Sequence, residues 1–446
     1  MVILWMACLK AEDGGVVAPP VPGPQPDTVA ALQQPAEAED LDPASDRLQV
    51  ELEAAPLAFT AGEGEVEGYA YNGQVPGPTL RATVGTTIVV DFTNHLEVPT
   101  TIHWHGLSVP AEMDGVTWLS DPLQPGESFR YEFIASRAGT FWYHPHMDVD
   151  QQVDLGLYGA LVVEDPAEPA VDQDLLLVWD SWGEQEAATA EHSSPDPASL
   201  RWTVNGQVQP VLSLIRGERV RLRMLNVSNL GYLDLEGPAL QQIAADQGLL
   251  SSMLQPESLV LAPGDRAELE WLAEQDHEIR TGRYTASGGV ALGESLPLMS
   301  VQVEGPEQAS APLSWPFSGL PSSVDPGITD IVYVFSGGAT GETWLINGES
   351  YPDVTVESLS LNQDAILEIR NLSATEHPFH MHGHSFEVLS IDGQVPPGRR
   401  VEDTINVGIR QVVRIKMLAS NPGDWMVHCH LLQHEEGGMM TVLRVE

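Results

Sequence analysis

The chain has 446 residues, more than one hydrophobic core serves, so about three domains are expected and a small disulfide-held scaffold is excluded. Twenty basic against 64 acidic residues give a formal net charge of −44, with Lys10 and Lys416 the only lysines, which argues against nucleic acid as a partner. No apolar stretch reaches the roughly 18 residues that a membrane span needs, and 40 Gly, 34 Pro and scarce helical periodicity indicate an all-β chain rich in turns. Such acidity suits a saline medium, where counterions screen repulsion within about 10 Å at 0.1 M salt; a lineage preference for Arg and Glu is the alternative.

The N-terminal run Val2-Ile3-Leu4-Trp5-Met6-Ala7-Cys8 is apolar, short, and lacks preceding basic residues, and it reads as the end of an export signal. An extracytoplasmic protein, periplasmic or secreted, is expected. Cys8 after Ala7 resembles a bacterial lipoprotein cleavage site and would supply a lipid anchor, the alternative being an incidental thiol. Residues 1–47, with their Ala, Pro, Asp and Glu, are expected to form a disordered tail whose removal leaves the fold intact. The two cysteines, Cys8 and Cys429, are not expected to pair.

Three segments then repeat one pattern. Each opens on an Asn-Gly turn (Asn72-Gly73, Asn205-Gly206, Asn347-Gly348) and reaches a second asparagine 22, 21 or 24 residues later, at Asn94, Asn226 and Asn371. Each continues to Gly-x-aromatic at the start of a strand, at Gly139, Gly282 and Gly423, and closes in alternating apolar residues. The turns Pro125-Gly126-Glu127 and Pro263-Gly264-Asp265 punctuate the first two copies, as sandwich folds require. The fold class is therefore all-β with three tandem β-sandwich domains, at residues 48–166, 167–306 and 324–446, joined by Pro-rich linkers.

Fourteen histidines in 446 residues should form fewer than one i, i+2 pair by chance, yet there are five: His103/His105, His144/His146, His380/His382, His382/His384 and His428/His430. Such a pair on a strand puts both imidazoles on one face. The first and third domains hold all of them, so a metal centre is expected where those two domains meet. In His428-Cys429-His430 the thiol and the two rings leave opposite faces, so one tripeptide serves two metal sites. Cys429, His377, His434 and Met439 offer a His₂Cys set with an axial thioether, which favours copper over zinc; structural zinc prefers several closely spaced cysteines.

The motifs HWHG (103–106), HPH (144–146), HPFHMHGH (377–384) and HCHLLQHEEGGMM (428–440) resemble the copper signatures of the multicopper oxidases, in family order over residues 48–446, and point to a bacterial three-domain member. The resemblance implies cupredoxin-like Greek-key domains and four copper ions. It implies His377, Cys429, His434 and axial Met439 for the type 1 copper, and His103 and His380 for type 2. His105, His144, His146, His382, His428 and His430 would hold the type 3 pair. Asp114 and Glu435 match positions that hold proton-relay acids in bacterial members. His384 could orient a neighbouring ring, whereas His95, His192 and His277 have no place in the scheme.

The implied activity is one-electron oxidation of a donor coupled to four-electron reduction of dioxygen to water by a monomer. The axial Met439 implies a low-to-middle potential. Residues 345–425 hold only Met381 and Met417, so a methionine-rich insertion of the kind carried by cuprous-ion oxidases is missing. A laccase-like oxidase of phenols or aromatic amines is the expectation, with Cu(I) as the alternative donor. A non-catalytic copper-binding or scaffold protein is the third reading. A two-domain nitrite reductase is excluded by the three repeats and by the histidines flanking Cys429.

Overall fold

The recurring asparagines perform the same two tasks in every repeat. In the Asn-Gly turns the asparagine is left-handed (φ 50°, 51° and 57° at Asn72, Asn205 and Asn347), as is the glycine after it, the backbone of a tight hairpin. Its Oδ1 accepts the N–H of an adjacent strand, at Glu53 (2.7 Å), Val178 (2.8 Å) and Val334 (2.8 Å). The second asparagine is buried in each copy. Its Nδ2 donates to two carbonyls, of Val98 and Leu123, of Gly231 and Leu261, and of Thr375 and Val407. Its Oδ1 accepts the N–H two residues onward. A buried amide satisfied on every side fixes the strand end to the following loop.

The computed structural model describes residues 30–446 except 43, 45, 62–63, 184–199, 238–239, 287–288, 291–292, 307–309 and 339–342. It is all-β, and each repeat is a pair of sheets. The first pairs Gly64–Tyr71, Arg47–Ala61, Thr87–Asn94 and Ser128–Ile134 against Gly77–Thr83, Gly159–Glu164, Gly139–His144 and His103–His105. The second and third each set a six-stranded sheet against a five-stranded one, over Arg201–Val204 through Gly248–Leu254 and Trp344–Ile346 through Val401–Glu402 for the larger sheets. Three apolar cores fill the sandwiches; that of the third repeat also takes in Leu230, Tyr232, Ala262 and Ala286 of the second. No helix among the described residues is long and apolar enough to cross a membrane.

Residues 30–42, expected to be part of a disordered tail, lie instead on the fold. Leu32 N–H donates to Val211 O (2.8 Å) and Val211 N–H to Ala30 O (2.8 Å), an extra strand segment on the second domain. Farther along, Ala38 N–H donates to Thr79 O (3.0 Å) and Thr79 N–H to Ala36 O (2.9 Å), on the first domain. Asn205 Nδ2 donates to Gln33 O, and Glu37 pairs with Arg81 at 2.7 Å. The polar composition that suggested disorder works here through backbone pairing, which needs no apolar side chains. Cys8 lies outside the described residues.

The domain seams are polar. Glu268 of the second domain meets Arg221 and Arg223 and accepts from Thr140 Oγ1 of the first (2.7 Å); burial opposes its charge, but the two arginines bring its pKa down to about 2. Tyr158 of the first domain donates to Asp180 of the second at 2.5 Å, and burial pushes the Asp180 carboxyl up to about 7.

Two expectations follow. A chain starting at residue 44 should melt about 3 °C or more below one starting at residue 30, because several backbone hydrogen bonds worth about 1 kcal/mol each are lost; calorimetry on the two truncations compares them. Asp180 binds its proton in the folded chain between about pH 4 and about pH 7, where the unfolded chain has released it, so stability from this group falls as pH rises through that window. Asp180→Asn should therefore gain in melting temperature relative to the parent between about pH 5 and about pH 8; a difference independent of pH would contradict this.

Candidate metal centre

Strand register brings the histidine motifs together. In the first domain His103 sits opposite His144, and His105 opposite Trp142. In the third, Phe379 sits opposite Cys429, His380 opposite His428, and His380 also opposite Thr404. The ends of these two strand pairs face each other, and eight buried imidazoles meet: His103, His105, His144, His146, His380, His382, His428 and His430. Rings of the two domains stack directly, His103 on His382 and His105 on His380, each with centroids 3.8 Å apart.

Within the cluster several trios have all their ligating atoms within 4.8 Å of one another, His103, His144 and His146 among them. Two of these trios, His146, His382 and His428, and His105, His144 and His430, each draw on both domains, and together they are the six residues read as type 3 ligands. His103 and His380, read as type 2 ligands, meet within the same limit in a set with His382.

Three buried carboxylates hold six of the eight rings, each reaching across the interface, while His144 Nδ1 meets the Pro145 carbonyl (2.9 Å). Asp114 Oδ2 takes His382 Nδ1 at 2.8 Å, while its Oδ1 lies 3.3 Å from His103 Nδ1 and its carbonyl 3.0 Å from that atom. Glu435 Oε1 lies 3.2 Å from His146 Nδ1 and Oε2 lies 2.9 Å from His428 Nδ1, which also meets the Cys429 carbonyl at 3.1 Å. Asp403 takes His105 Nε2 at 3.1 Å and lies 3.5 Å from His380 Nδ1, with its carbonyl 3.0 Å from the latter. Asp114 can sit so close because Gly115 follows it at φ 80°, where a Cβ would fall 2.0 Å from Ile102 O.

The opposite ring nitrogens are buried without partners: Nε2 of His103, His144, His146 and His380, Nδ1 of His105, and both nitrogens of His430. Burial first, and neighbouring rings next, hold His105, His144, His382 and His430 well below the usual imidazole range; burial brings His380 down to about 3. A neutral ring with one N–H held by oxygen and a bare lone pair facing other lone pairs is a metal ligand. Left without a cation, those atoms carry the full cost of desolvation. The residues thus fit bound copper ions.

The second site lies on the other side of Cys429. His377 Nδ1 is 3.3 Å from Cys429 Sγ, His434 Nδ1 is 3.6 Å from it, and the two nitrogens are 3.1 Å apart, all buried. Met439 is buried in the same apolar cluster, and its backbone pairs with the Cys429 N–H (3.1 Å) and the His434 carbonyl (2.9 Å). Burial raises the thiol pKa, so the thiolate needs a cation beside it. Trp344 stacks on His434 at 3.7 Å, and Ser373 Oγ meets His377 Nε2 at 2.7 Å.

All twelve ligand candidates and both candidate acids thus fall at these two sites. His384 holds the His382 carbonyl with its Nδ1 (3.3 Å). His95 is exposed beside Glu53, His277 leans on Trp271, and His192 lies outside the described residues. Sequence reasoning missed Asp403, Thr404 and Trp344: an acid among 64 carries no signal without the fold, and Trp344 adjoins no motif.

Two family models, both described as multicopper oxidase, match residues 55–168 and 323–446. The multicopper oxidase MmcO of Mycobacterium tuberculosis is 28% identical over 441 residues, covering 88% of this chain and 86% of its own. The multicopper oxidase mco of Staphylococcus epidermidis is 30% identical over 419 residues, covering 86% and 87%. Among solved structures, the multicopper oxidase of Campylobacter jejuni, described as a metallo-oxidase, superposes with a TM-score of 0.82 at 25% identity over 94% of this chain and 95% of that one.

Replacing Cys429 with Ser should abolish the intense visible absorption of a copper–thiolate bond and lower bound copper by about one ion per chain, with the histidine cluster still loaded. Visible spectra and copper analysis of the two proteins check this; an undiminished blue colour would overturn the assignment of Cys429.

Proposed function

We propose, from the fact that this chain belongs to the multicopper oxidase family, that it is a laccase-like oxidoreductase taking electrons singly from phenols or aromatic amines and passing them to dioxygen. Four bound coppers, one at His377, Cys429, His434 and Met439 and three in the imidazole cluster, would supply single-electron acceptance at the first site and the storage of four electrons at the second. Cys429 joins the two sites through its own backbone, since His428 and His430 each belong to one of the two trios. Asp114 and Glu435 orient rings through Nδ1 and stand where protons must arrive; Glu436 next to Glu435 is pushed up to about 7 by burial and accepts the Val149 N–H (2.9 Å). These acids are proposed to pass protons inward to the cluster.

The fate of the methionines carries the choice of donor. Met381, Met417, Met426 and Met439 of the third domain are all buried, leaving only Met440, half-buried, to present a thioether. A Cu(I) donor needs soft sulfur ligands to dock beside the first site. An aromatic donor needs only shape and a nearby acceptor for its proton. Cuprous-ion oxidation is the second reading, favoured by the description of the Campylobacter jejuni relative as a metallo-oxidase. An extracytoplasmic location is proposed on the apolar segment 2–8.

Steady-state oxygen consumption without added Cu(II) should be faster with a methoxyphenol than with Cu(I). A Cu(I) rate about tenfold or more higher would replace the laccase-like reading with the cuprous one.

A further inference from the structure

Among the described residues the middle domain gives no imidazole to the cluster, yet one of its side chains reaches it. Arg266 is fully buried and its five N–H groups are all used. Nε donates to Thr140 O of the first domain (3.0 Å), Nη1 to Gly264 O (3.1 Å) and Asp403 Oδ1 (2.7 Å), and Nη2 to Asp246 O (3.2 Å) and Asp403 Oδ2. One guanidinium therefore ties all three domains together at a single carboxylate.

That carboxylate governs two rings. Asp403 Oδ1 faces His105 Nε2 at 3.1 Å and accepts from Thr404 Oγ1 at 3.0 Å. Thr404 Oγ1, its hydrogen so committed, is left to accept from His105 Nε2 (3.0 Å) and His380 Nδ1 (3.1 Å). An acceptor-only carboxylate requires the proton on His105 Nε2, which leaves Nδ1 as that ring's bare nitrogen, whereas His103, His144, His146 and His380 bare Nε2. The glycine of the HWHG motif fits this arrangement: at φ 87°, a Cβ on Gly106 would lie 2.5 Å from Arg266 Nη2 and 2.8 Å from Asp403 Oδ2.

We propose that Arg266 of the middle domain is a positioning residue for the copper cluster: by gripping Asp403 through a bidentate fork it fixes the proton on His105 Nε2 and selects Nδ1 as the copper-binding atom. The inference rests on the copper reading of the imidazole cluster. It gives the domain without ligands a chemical role, and it explains why Gly106 follows the ligand pair of the first domain.

The test uses the full chain and the parent protein in parallel. Arg266→Met combined with Asp403→Leu removes both charges of the fork together and leaves Asp246 Oδ1, 3.5 Å from Arg266 Nη1, without that partner. This variant should keep the visible band of the Cys429 site while its cluster releases copper to a chelator about tenfold or more readily, with loss of the near-ultraviolet shoulder of a bridged copper pair. Arg266→Lys keeps the charge without the fork and should show the same selective loss to a smaller degree. Copper analysis, visible spectra and the electron paramagnetic resonance of the type 2 ion are the readouts, none of which depends on turnover. Cluster copper retained as in the parent, with unaltered type 2 and near-ultraviolet signals in Arg266→Lys and in any folded double variant, overturns the proposal. A parent protein that takes up no copper at the cluster overturns the reading beneath it, a distinguishable result because the parent is measured first.

Discussion

Eight imidazoles from two domains have to be closed into one water-poor cluster, and three carboxylates at the interface hold six of them there. Asp114, Glu435 and Asp403 each take one ring from the first domain and one from the third. Each contact secures one nitrogen of a ring and thereby turns the other toward its neighbours, so the same bond sets domain docking and ligand orientation. The facing lone pairs repel and are desolvated, a cost that bound cations offset.

The scarcity of cations bears on how the seams are built. With 20 basic residues among 64 acids, the chain places Arg221, Arg223 and Arg266 of the middle domain in buried pairs at domain contacts, on Glu268 and Asp403. Losing one partner of such a pair leaves an uncompensated buried charge, at about 3–5 kcal/mol, so these contacts demand one arrangement. The excess of acid is left mainly to the surface, where solvent and counterions screen it.

The repeats show how one fold was put to two uses. The Asn-Gly turn and the buried asparagine set the hairpin and the loop that follows it in every copy, independently of what the loops carry. In the third copy the Asn371 corner sets the loop Ser373–Thr375, and Ser373 meets His377 Nε2 two residues beyond it. In the second, the Asn226 corner instead binds the Gly231 and Leu261 carbonyls, just before the Pro263–Arg266 segment that reaches Asp403.

The sequence alone determined the all-β class, the threefold repetition and the twelve candidate ligands, because turn chemistry, two-residue alternation and histidine spacing are local properties of a strand. It also placed Asp114 and Glu435, since both adjoin motifs. What it misjudged or left silent depends on contacts between distant segments. Residues 30–42 looked like a tail because their pairing partners, Val211 and Thr79, supply the order that their own side chains do not. Asp403 became visible only when the third domain folded it against His105 and Arg266, 298 and 137 positions away in the chain. The grouping of the rings was likewise decided in three dimensions: strand spacing puts His103 and His105 on one face, but only domain docking determines which rings of the other domain each one meets.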